Sequence, residues 1–124
     1  MMAENMTHNE EALKKSLMEL AIENWKTTQV FHKLLSEADV QDQLRYTNKL
    51  NWFIKKTKDY LEAAGLRIVN IEGSKYSTGM AVTAINLDEY ENAPSLVVEK
   101  MLEPIIMGPN GVERTGTVIL KEGN

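Results

Sequence analysis

The sequence predicts an α+β protein. A long helical hairpin, residues 1–65, is expected to form a four-helix bundle as a homodimer, and a small antiparallel β-rich head, residues 66–124, follows it. Three observations carry this expectation. Apolar residues recur at alternating spacings of four and three over most of the stretch from Leu13 to Leu61. After Gly65 the period changes to the alternation of a strand in LRIVNI. Further on, the turn residues Gly108-Pro109-Asn110-Gly111 stand between two runs rich in Val, Ile and Thr.

The N-terminal residues up to about Thr7 read as a frayed end. Thr7 and Glu10 then stand three apart, as in a capping box. From there Leu13, Leu17, Leu20, Asn24, Thr27, Phe31, Leu34 and Ala38 make a heptad seam with Asn24 in its middle. Asn24 either fixes the register of a bundle or is solvated near its end. Ala21, Trp25 and Leu35 form a second apolar line, so this helix is expected to meet more than one neighbour.

Ser36 and Asp39 offer another capping signal, which predicts a bend or a very short loop. One continuous helix from about Asn9 to Ala64 is the alternative. The second stripe is Val40, Leu44, Thr47, Leu50, Ile54, Thr57 and Leu61, widened by Trp52, Phe53 and Tyr60. Gly65 supplies a left-handed cap after Ala64. Two helices of about 25 residues cannot cover two-sided stripes on each other alone, and a dimeric bundle is the simplest remedy. Leu17, Leu20, Asn24, Phe31, Leu44, Leu50, Ile54 and Leu61 are the expected dimerisation residues.

In the head, Leu66–Ile71 is expected as a strand, Glu72–Lys75 as a turn and Met80–Leu87 as a second β-prone run. Asp88–Pro94 reads as a polar connection. Leu96–Val98 and Ile105–Met107 precede the turn and Val112–Leu120 follows it, with Asn110-Gly111 as the central pair of a tight hairpin. Pro104 cannot donate to a ladder and belongs at the start or edge of its strand.

Charge and chemistry narrow the function. The formal net charge is -4, with 14 Lys/Arg against 18 Asp/Glu, which disfavours nucleic acid as partner. Lys55-Lys56-Thr57-Lys58 reads as solvated helix surface. There is no Cys, so disulfides and zinc–thiolate sites are excluded, consistent with a cytoplasmic setting. No apolar run approaches the roughly 20 residues of a membrane span. His8 and His32 are the only histidines and do not suggest a metal site. Asp88, Glu89 and Glu91 lack the ligand alternation of a calcium loop. The glycine pairs form no phosphate-binding fingerprint, and Tyr76–Thr78 has no histidine base nearby. No cofactor and no catalysis are expected. An enzyme would need a substrate pocket between head and helices.

Several segments resemble GrpE-type nucleotide exchange factors, the partners of DnaK-type chaperone ATPases. LEAAGLRIVNIEG, residues 61–73, is similar to that family's helix end, glycine, short strand and glycine. Tyr76–Ala84 takes the place of its Phe-Asp-Pro segment. Leu96-Val97-Val98-Glu99 resembles its Val-Val-Glu run, and Asn110-Gly111-Val112 through Arg114 and Val118 its Asn-Gly hairpin and last strand. The likeness spans roughly residues 50–121. Pro104-Ile105 stands where the family has Gly-Tyr, Ser77-Thr78 where it has Asp-Pro, and Ala81 where it has His. The resemblance implies a dimerising helical region joined to a β-rich head that opens the nucleotide cleft of a chaperone ATPase. Glu103, Pro104, Ile105 and Arg114 are the partner-binding residues it implies. A dimeric adaptor or assembly module of the same shape, with a different protein partner, is the alternative.

Overall fold

Residues 7–90 and 94–123 are described by a computed structural model of the chain. Two helices, α1 (His8–Ser36) and α2 (Val40–Ala63), precede six strands: β1 (Arg67–Val69), β2 (Val82–Ala84), β3 (Leu96–Glu103), β4 (Ile105–Gly108), β5 (Gly111–Arg114) and β6 (Gly116–Glu122). The α+β class and the order of parts are as expected.

The helix ends follow from local chemistry. The Thr7 hydroxyl accepts the Glu10 N–H at 3.0 Å and donates to the Glu10 carboxylate, which starts α1. Between the helices the chain breaks at Glu37–Asp39, so there are two helices and not one. Asp39, not Ser36, caps α2, accepting the Asp42 N–H at 2.9 Å. Ser36 ends α1 instead, and its hydroxyl donates to the Lys33 carbonyl. The Gln43 amide reaches back across the turn to donate to the Leu35 and Ala38 carbonyls. At the other end of α2, Gly65 has φ of +78°. The Leu66 N–H bonds the Leu61 carbonyl and the Gly65 N–H bonds that of Glu62, the Schellman pattern. This turns the chain sharply and sets Leu66 into the core beside Leu61.

The head holds two three-stranded sheets, in the orders β1-β4-β5 and β2-β6-β3. Three differences from expectation stand out. The Asn-Gly hairpin is short. Gly108 pairs with Gly111 across Pro109 and Asn110, so Asn110-Gly111 is not the central pair. Gly111 alone takes positive φ there, at +123°, and opens β5. Second, each arm of the hairpin divides between the two sheets. Pro104, which has no N–H, separates β3 from β4, and Thr115 separates β5 from β6. Third, the head is mixed. Of Met80–Leu87 only Val82–Ala84 is strand, and it runs parallel to β6. Beyond β2, the Asn86 side chain donates to the Leu120 carbonyl and accepts its N–H, both at 2.9 Å, extending the ladder after the strand has ended. Leu87–Tyr90 is a 3-10 turn in the expected connection. Glu91 and the residues before Thr7 lie outside the described residues.

Two buried clusters result. Val98, Met101, Ile105, Val118 and Leu120 fill the head, and Trp25 of α1 packs against them. Ala21, Ile22, Leu61, Leu66 and Ile106 form the other cluster, which both helices share with β4. Helices and head are therefore joined by apolar packing as well as by the chain.

Candidate protein-interaction site

Two surfaces draw the predicted residues together. The first is the junction of α1 with the head, where three ion pairs cross. Lys14 pairs with Glu113 at 2.8 Å, Lys26 with Glu103 at 2.9 Å, and Glu19 with Arg114. Lys14, Glu19 and Lys26 thus tie α1 to the end of β3 and to β5, around the buried Ala21 and Ile22. The hydrogen bond from Lys26 to Glu103 and the surrounding carboxylates raise the Lys26 pKa above its ordinary value, against a smaller opposing effect of burial.

The four residues that resemblance marks for partner binding divide here. Pro104 and Ile105 are buried inside the chain. Ile105 belongs to the head core, and Pro104 lets the chain pass from one sheet to the other. Glu103 and Arg114 remain partly exposed, and both are engaged by α1. Sequence reasoning missed Lys14, Glu19 and Lys26. Nothing local in the sequence names their partners, which lie 77 to 99 residues further along the chain.

The second surface is the helical hairpin. Leu17, Leu20, Asn24 and Leu61 line one groove with Tyr60, and Phe31 and Leu50 line another of about 290 Å³ with Phe53. Leu50 and Leu61 are buried within the single chain, whereas Leu20 is 57% exposed. Leu13, Val30 and Leu34 are exposed as well, and Phe31 and Phe53 partly so. Ile54 borders a third recess and Leu44, 73% exposed, borders none of them. Aromatic and basic side chains interleave on α2, where Lys56 lies 5.3 Å from the centroids of both the Trp52 and Tyr60 rings. No helix of the described residues is long and apolar enough to cross a membrane.

No protein family, curated protein or solved structure matches the chain.

Proposed function

We propose that this chain is a GrpE-like cochaperone, a non-catalytic homodimer that binds a DnaK-type chaperone ATPase in the cytoplasm and promotes ADP release. The observation that carries this reading is the uncovered helical hairpin joined to a β-rich head through a shared apolar cluster. The described residues leave a broad surface of the hairpin open to solvent. Much of the apolar part lies along Leu13, Leu20, Phe31 and Leu34 on α1 and Trp52, Phe53 and Tyr60 on α2. A second copy would cover it, completing a four-helix bundle that needs only about 800 Å² per partner.

In this reading the dimer's bundle is a mount and the head is the working surface. The shared core and three ion pairs keep the head at a fixed angle to the helices. A head held that way favours the open nucleotide cleft if it binds that state more tightly than the closed one. The test is the rate of labelled ADP release from a cognate ATPase, with and without this protein. A saturable acceleration supports the proposal, and an unchanged rate sinks it.

A second reading is favoured by one observation. Pro104 and Ile105 are buried, while Glu103 and Arg114 are held by α1. A dimeric adaptor that binds a different protein partner through another part of the head accommodates this directly. It predicts a stable complex that nucleotide does not disturb.

A further inference from the structure

A recess of about 350 Å³ lies where α1, α2 and β1 meet, and of its lining only Asn24, Ile54 and Leu61 are also expected dimerisation residues. Its volume falls at the small end of the range of ligand pockets, roughly 300–1,000 Å³. The buried Ala21, Leu61 and Leu66 form its floor, and the half-buried Trp25 and Ile68 its apolar walls. Asn24, Gln29 and Thr57 place polar groups among them. The rim is charged: Lys58 and Arg67 are exposed there, with Glu62 opposing them and His32 alongside. Neither Lys58 nor Arg67 has an ion-pair partner among the described residues. The rim thus carries two cations against one carboxylate.

An apolar floor under a net cationic rim is complementary to a small molecule with an apolar body and one anionic end. We propose that the recess binds a medium-chain carboxylate, with its chain against Trp25, Leu61 and Leu66 and its carboxylate between Lys58 and Arg67. Chain length then sets affinity, by about fourfold for each methylene buried. The cations set the preference for an acid over the corresponding alcohol, because a charge-assisted pair is available to the acid alone.

Trp25 lies in the wall and reports directly. With Trp52→Phe removing the other tryptophan, octanoate and 1-octanol are titrated against Trp25 emission at two protein concentrations tenfold apart. Octanoate is expected to give a saturable change at submicellar concentration, with hexanoate more than tenfold weaker. Lys58→Glu with Arg67→Glu is expected to weaken octanoate at least tenfold and octanol less than twofold. Both are exposed, so far-UV dichroism of the variant should be unchanged. No saturable change with octanoate overturns the proposal. So does an equal loss for acid and alcohol, which would mean a merely greasy surface. An apparent affinity that falls in step with rising protein concentration also overturns it, because a second copy then covers the recess. The ATPase plays no part in this titration, so its result is independent of the exchange reading.

Discussion

In the head, Val98, Val118 and Leu120 are at most 1% exposed, whereas Leu13, Leu44 and Trp52 on the helices are all more than 60% exposed. The contrast follows from geometry. Two small sheets folded against each other enclose a space, and short strands with alternating faces can fill it. A pair of helices encloses almost nothing, because each presents a full cylinder and covers only one strip of the other. The head thus fills most of its own core, with α1 adding Trp25 to it and Ile106 packing on the helices. The helices bury Ala21, Ile22 and Leu61 where they meet the head, and only Thr28 and Leu50 elsewhere among the described residues. Apolar residues at heptad spacing that no described neighbour within the chain covers are the feature on which the proposed dimer rests.

The joint between the two regions is where this comparison is most easily broken. Ile106 is fully buried in the cluster that both helices share with β4. Ile106→Ala should cost about 2–5 kcal/mol. Helical dichroism and Trp25 emission should be lost in one transition of urea unfolding, since the cluster binds both regions. Two separated transitions would mean that head and helices are stable independently.

The next effect separates a lone chain from a dimer. Leu20 and Phe31 are exposed in the single chain, so Leu20→Lys with Phe31→Lys should change a monomer's stability by no more than about 0.5 kcal/mol per site. In a bundle the same pair buries two charges at the seam. Sedimentation equilibrium should then show the mass of the unsubstituted protein halved by the substitutions. A mass that is monomeric before and after would remove the bundle from the proposal.

How far the sequence could be read follows the same division. Helix ends were legible because caps are local. Thr7 and Glu10 work as anticipated, and Gly65 provides the left-handed residue after α2. Asp39 and not Ser36 is the cap because it stands immediately before α2, where its carboxylate reaches the free N–H of Asp42 in the first turn. The head was legible in part. Pro104 is expected at a strand boundary, but its role in dividing the first hairpin arm between two sheets depends on packing, which no short window contains. The parallel pairing of β2 with β6 was hidden for the same reason, because a three-residue strand does not encode its partner. At the junction, Glu103 and Arg114 were named for an outside partner, and their carboxylate and guanidinium suit α1 equally well. Residue type identifies a group that will be paired, and only the fold decides with what.

A smaller effect tests the loop between the helices. Asp39→Ala removes the acceptor of the Asp42 N–H and should cost about 1 kcal/mol. Because the far end of the hairpin is remote from the head, hydrogen exchange should quicken at the start of α2 and leave β3 and β6 unchanged. Equal quickening in those strands would show the molecule opening as a single unit.

The smallest effect has a sign that differs between the two regions. The Lys26 pKa is raised in the folded protein, chiefly by its hydrogen bond to Glu103. That contribution is fully present below the unfolded lysine value of about 10.4 and is lost as pH rises through the higher folded value. Asp59 behaves oppositely. Its hydrogen bond from Lys55 lowers its pKa, so its contribution is present above about 3.9 and is lost as pH falls through the lower folded value. Alkali should therefore loosen the joint between helix and head, and acid the surface of α2. Thermal midpoints of the unsubstituted protein and of Glu103→Gln should differ by a constant small amount up to about pH 10 and converge above it. A gap that persists into stronger alkali would mean that Glu103 steadies the joint through something other than Lys26.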